Sequence, residues 1–221
     1  AGPEIGVAST KAYLAQITAN YLVGLALAQA RGTKYPDEVA SEFRRLEKMP
    51  ELIQQVVDAL EPVREIAREL ADSKSVLFLG RHVGYPTALE GALKLKELAY
   101  MHAEGFPAGE LKHGPIALIE DGLPVFVVMP PIEGRGVLHS KLVSNIQEIK
   151  ARGARTIVIA EEGDDVVRPL SDYFIPIPAS TTLLQPLLAT IPYQAFAAEV
   201  AAARGYDVDK PRNLAKSVTV E

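Results

Sequence analysis

At 221 residues, 48% of them hydrophobic and 23% charged, the chain is long enough to bury a core and to form one or two domains. A net charge of −5 leaves no basic face for a phosphate backbone, which argues against a nucleic-acid binder, and no apolar run reaches the ~18–20 residues of a membrane span. Zero cysteines excludes disulfides, thiolate metal sites and a cysteine nucleophile; with no signal-peptide pattern at the N-terminus, a soluble cytoplasmic protein fits.

The first predicted helix starts at Ser9 or Thr10, whose hydroxyl can cap free amides, and runs to about residue 30. Tyr13, Ile17, Tyr21 and Leu25 make an i, i+4 apolar row along it, and Arg31-Gly-Thr33 ends it. A short helix over about 37–47 follows. A longer one over about 50–71 places Leu52, Val56, Leu60, Val63 and Leu70 on one side. Ser75-Val-Leu-Phe-Leu79, bounded by Gly80, has the continuous apolar run of a buried parallel strand. The order is then helix 86–101, strand 124–129, helix 137–152, strand 155–160, strand 172–176 and helix 181–204. This alternation predicts an α/β fold, a parallel sheet flanked by helices on both faces. The tail from Tyr206 onward follows neither period, and Lys210-Pro-Arg-Asn213 breaks any helix.

Chemistry-bearing residues gather in three places. Within helix 86–101, Glu90, Lys94 and Glu97 share one face, with Leu89, Ala92, Leu93 and Ala99 on the opposite side. A Glu-to-Lys spacing of four is also an ordinary surface pair worth ~0.3–0.5 kcal/mol. The helix stands out because it starts just after a strand and Gly80, and open α/β folds bind ligands outside the carboxyl ends of their strands. His113 lies in Leu111-Lys-His-Gly-Pro115, a turn framed by Gly and Pro. There it can act as an acid or base near neutral pH, or simply be solvated. His82, His102 and His139 belong to no motif, and Glu110 and Lys112 read as supporting groups. In the tail, Lys216 sits between Leu214-Ala215 and Val218; an amine on an apolar flap suits Schiff-base chemistry, against the plainer reading of a basic terminus.

Four blocks carry a resemblance: Glu4-Ile-Gly-Val-Ala-Ser-Thr-Lys-Ala12, Ala88-Leu-Glu-Gly-Ala-Leu-Lys-Leu-Lys-Glu97, Gly109-Glu-Leu-Lys-His-Gly-Pro115 and Asp207-Val-Asp-Lys-Pro-Arg-Asn-Leu-Ala-Lys-Ser-Val-Thr-Val-Glu221. In type and order they resemble the C-terminal isomerase part of the glucosamine-6-phosphate synthase family, and they span nearly the whole chain. The resemblance implies the sugar isomerase (SIS) fold, a flavodoxin-like αβα sandwich. Residues 1–35 would be the remnant of a truncated first SIS domain, 36–72 linker helices, 73–205 a second SIS domain and 206–221 an active-site tail.

The resemblance also implies an activity: conversion of fructose 6-phosphate and ammonia to glucosamine 6-phosphate, without metal or cofactor. Lys216 would form a Schiff base with the sugar's C2 carbonyl. Glu97 would move a proton between C1 and C2, supported by Lys94. His113 would assist ring opening from the neighbouring subunit of a homodimer, and Val7, Ser9 and Ala215 would contact the sugar. The family's ammonia comes from a glutaminase domain that uses a cysteine, so this chain, with none, resembles only the sugar-processing part. The family's phosphate-holding Ser/Thr loops lie ahead of the matched region. Ser9-Thr10 and Ser180-Thr-Thr182 read more simply as helix caps, so the chain alone is expected to bind the sugar phosphate weakly. An alternative is a non-catalytic SIS module that binds a sugar phosphate and regulates a partner. Another is a ketose–aldose isomerase without nitrogen transfer. A sensor has no need of Lys94, Glu97, His113 and Lys216 together, and a plain isomerase leaves Lys216 idle.

Overall fold

The computed structural model describes residues 1–132 and 136–217; Val218 and the residues after it lie outside that range. Among the described residues five parallel strands form one sheet: β1 (Ser75–Gly80), β2 (His102–Pro107), β3 (Pro124–Val128), β4 (Arg155–Glu161) and β5 (Tyr173–Ile177), in the order β2-β1-β3-β4-β5. The helices are α1 (Lys11–Ala30), α2 (Pro36–Glu47), α3 (Met49–Asp58), α4 (Glu61–Glu69), α5 (Gly84–Ala99), α6 (Gly136–Lys150) and α7 (Gln185–Ala203). Two short 3-10 turns, Ala108–His113 and Pro115–Leu118, follow β2.

The strand period divides the core into two layers. Val76, Phe78, Phe126, Ile157 and Ile159 face α4, α5 and α7, whereas Leu77, Leu79, Val125, Val127 and Val158 face α6 and the 3-10 turns. The sheet is thus covered on both sides, as continuous apolar strands require. The first layer centres on aromatic rings. Phe78 stacks on Phe126 with centroids 5.1 Å apart, and Tyr193 and Phe196 of α7 meet them edge-on. Gly91 permits this: a methyl there would lie 2.7 Å from the Tyr193 ring, so α5 approaches α7 only without a side chain. Gly80 serves likewise at the strand-to-helix turn, where a methyl would sit 2.1 Å from the Gly84 carbonyl oxygen.

Three expectations change. The long helix over 50–71 is two helices. Pro62 has no N–H to donate to the Asp58 carbonyl and its ring crowds that group, so α3 stops there and α4 begins at Glu61. An unforeseen strand, β2, pairs with β1 from Ser75↔His102 to Gly80↔Pro107. And α1 is not capped by its own hydroxyl. The Glu4 carboxylate accepts from the Thr10 amide at 2.9 Å and the Thr10 hydroxyl at 2.6 Å. Leu14, Ile17 and Tyr21 of α1 pack on the core, while Val23 and Leu27 stay exposed.

At the far end, Arg204 ties α7 down through three backbone carbonyls, those of Ala71 (2.6 Å), Ser73 (2.9 Å) and Ala99 (2.9 Å). The ends of α4, α5 and α7 therefore converge at the amino edge of the sheet, where the tail departs.

Candidate functional site

α5 runs antiparallel to the strands it covers. Its first half lies over the end of β2, with Leu89 against Gly105, and its last turn lies beside the start of β2. Glu97 is therefore about 20 Å down the helix from Gly84. It stands at the amino edge of the sheet, not at the carboxyl edge that the position of the helix start pointed to.

The charged face of α5 is also its inward face. Lys94 is 1% exposed, and its ammonium lies 2.5 Å from Glu97 Oε2 and 3.4 Å from Glu90 Oε1. Leu89 and Leu93, on the opposite side of the helix, are 42% and 41% exposed. A buried ammonium costs several kcal/mol unless paired, and two carboxylates one turn either side supply that pairing. The ordinary surface-pair reading of this motif fails on burial alone. Burial also holds the Glu90 carboxyl above the usual range, against the opposing pull of Lys94 and with added repulsion from Glu97. Tyr13 of α1 leans on the same group; burial first, then the Glu90 charge, raises its phenol.

The tail crosses this edge. A cleft of about 580 Å³ is lined by Glu97, Lys96, Tyr100 and Met101 on one side and by Arg212, Asn213 and Leu214 on the other. The tail is pinned at two points. The Val7 amide donates to the Asp209 carbonyl at 3.0 Å, and the Arg212 amide donates to the Tyr100 hydroxyl at 2.6 Å, with its guanidinium 4.2 Å from that ring's centroid. Tyr100 adopts a left-handed conformation (φ 52°) as α5 ends, which turns its ring toward the tail.

The structure thus brings Glu97, Lys94, Val7 and the tail to one edge. Val7 and Ser9 are half-buried, and Ala215 is exposed. Lys216 is not drawn to Glu97. Its amine lies 3.5 Å from Glu4 Oε2, a partner 212 positions away. Glu4 stands in the first motif block, but its spacing of six from Thr10 matches no capping pattern. His113 is exposed at the end of the 3-10 turn that follows β2, at the carboxyl edge. The length of β2, about 20 Å, separates it from Glu97 in the same chain. Its turn is braced by neighbours: Arg81 binds Asn145 Oδ1 at 2.8 Å, Asn145 binds Glu148, and Glu148 pairs with Lys112 at 2.7 Å.

Comparison with known proteins gives three findings. The SIS domain family matches residues 69–204. The glutamine–fructose-6-phosphate aminotransferase [isomerizing] of Mycobacterium tuberculosis is 75% identical over 221 residues, all of this chain and 35% of that protein. Its Corynebacterium glutamicum counterpart is 67% identical, over all of this chain and 36% of its own length. The chain spans about a third of the length of these curated relatives. Among solved structures, the C-terminal domain of glucosamine-fructose-6-phosphate aminotransferase from Francisella tularensis superposes with a TM-score of 0.87 at 36% identity, covering 95% of this chain and 58% of that one. Tagatose-6-phosphate ketose/aldose isomerase from Escherichia coli (TM-score 0.63, 21% identity, 76% of this chain and 46% of that one) shares the fold.

Proposed function

The chain belongs to the SIS domain family, and on that premise we propose that it performs the sugar chemistry of its aminotransferase relatives, making glucosamine 6-phosphate from fructose 6-phosphate and ammonia. One observation carries the reading: a carboxylate, Glu97, held by a buried ammonium, faces a cleft whose other wall is the tail that bears Lys216. Lys216 attacks C2 of the open-chain ketose; water leaves and a cationic imine forms. Ammonia then displaces the lysine, leaving the fructosimine. The imine acidifies the C1 hydrogen, so Glu97 takes that proton and delivers it to C2, giving the 2-amino aldose. Lys94, 2.5 Å from Glu97 Oε2, holds that carboxylate in position. Val7, Ser9 and Ala215 border the sugar's path to Lys216.

His113 and Glu97 stand at opposite edges of the sheet, so one chain does not bring them to one sugar. On this reading the protein is a homodimer in which each His113 serves the partner's site and assists ring opening. The ammonia comes from a glutaminase domain, which this cysteine-free chain does not itself supply. By the same reading residues 1–35 continue a first SIS domain, 36–72 link, 73–205 form a second SIS domain, and 206–221 form an active-site tail in the cytoplasmic enzyme.

The proton step is testable by itself. Fructose 6-phosphate and ammonium incubated with the chain in heavy water are expected to give exchange of the C1 hydrogen for deuterium, followed by proton NMR. Glu97→Gln lowers that rate by about 10²-fold or more. Exchange undiminished in Glu97→Gln, with the variant folded, rejects Glu97 as the proton carrier.

A further inference from the structure

Lys216 has a charged neighbour that the proposed chemistry does not use. Glu4 precedes α1, and its two carboxylate oxygens do different things. Oε1 accepts from the amide and hydroxyl of Thr10, which closes the start of α1. Oε2 lies 3.5 Å from the Lys216 amine. The Glu4 side chain is only 10% exposed, whereas that of Lys216 is 46% exposed. One partner is therefore largely buried and hydrogen-bonded, and the other is half-exposed. Burial opposes ionisation of Glu4, yet the Thr10 hydrogen bonds and the Lys216 charge outweigh it and hold its carboxyl down at about 2. The group is a fixed anion at any working pH. The adjacent pairing of the Val7 amide with the Asp209 carbonyl keeps the two segments in register.

An ammonium and an iminium are both cations, so the same fixed carboxylate suits the lysine before and after it takes up a ketose. We propose that Glu4 is the positioning residue for Lys216, docking the tail amine at the start of α1 and remaining as counter-ion to the cationic imine. This rests on the assignment of Lys216 as the imine-forming amine, but the docking itself is measurable without any sugar. An exposed pair at this distance adds little to stability. Its consequence is location: it holds a terminal amine at the start of α1.

The test is competitive labelling of the lysines with a small acylating reagent, read by peptide mass, in wild type, Glu4→Gln, Glu4→Asp and Thr10→Val. Gln keeps an oxygen for Thr10 but removes the charge, so the fold is retained. The expected result is a several-fold faster labelling of Lys216 in Glu4→Gln, with the other exposed lysines unchanged. Glu4→Asp restores part of the protection, and Thr10→Val, which leaves the carboxylate in place, labels Lys216 as wild type does. Equal labelling of Lys216 in wild type and Glu4→Gln overturns the docking. Faster labelling together with no reducible sugar adduct on Lys216 would instead uphold the docking and overturn the imine assignment, so the two failures are distinguishable.

Discussion

Lys94→Met destabilises the chain by about 3–5 kcal/mol, because the substitution leaves the buried Glu90 carboxylate and the half-buried Glu97 without their shared cation. The side chain is nearly isosteric, so the loss is electrostatic and not a cavity. The urea midpoint is expected to fall with an unchanged slope. Glu90→Gln added to Lys94→Met recovers part of the loss, since a neutral amide at that buried position needs no counter-charge. A midpoint unchanged in Lys94→Met would mean that the triad is solvated in solution, and the argument for a cation-fixed Glu97 would go with it. A much smaller magnitude distinguishes surface pairs such as Arg64–Glu61, whose removal costs within ~0.5 kcal/mol.

Lys216→Arg has the second large effect, and it falls on chemistry alone. The side chain is exposed and the tail is pinned elsewhere, through Asp209 and Arg212, so stability changes by less than ~0.5 kcal/mol. A guanidinium forms no imine with a ketose, so glucosamine 6-phosphate formation from fructose 6-phosphate and ammonium falls by about 10³-fold or more. The same variant tests the trans placement of His113. Mixing Lys216→Arg with His113→Ala chains and letting subunits exchange makes half the dimers hybrid, each with one intact site. About a quarter of wild-type activity returns if the histidine crosses the interface. No recovery, with hybrids formed, places both residues in one chain's site and contradicts their separation across the sheet.

Much of the fold was legible because parallel strands are monotonous. Val125 to Val128 and Ile157 to Ala160 are buried on both faces and read as strands from composition alone. β2 was not legible for the converse reason. Ala103-Glu-Gly-Phe-Pro107 has no period and is rich in strand-averse residues, yet as an edge strand it needs only one hydrogen-bonded neighbour, and β1 provides it. Pro62 was visible in the sequence, but the apolar row that continues through Leu60 and Val63 masked the break.

The site divided differently. Residue types and the motif blocks pointed to Glu97, Lys94, His113 and Lys216, but spacing could not say which face of α5 is buried. Ala92 and Ala99 are buried, but Leu89 and Leu93 lie outward while Lys94 is sealed. The strand-then-helix order drew attention to the carboxyl edge, when the direction of α5 carries Glu97 to the other end. Glu4 and Tyr100 could not be found from local pattern, since their partners Lys216 and Arg212 are more than a hundred residues away.

The most direct test of the account is reduction with borohydride in saturating fructose 6-phosphate, followed by intact mass and peptide mapping. One sugar phosphate, reduced onto the amine, is expected on the peptide containing Lys216, and none in Lys216→Arg. An adduct confined to another lysine, or none on the folded chain and none at the matching lysine of its 75% identical Mycobacterium tuberculosis relative, would contradict it.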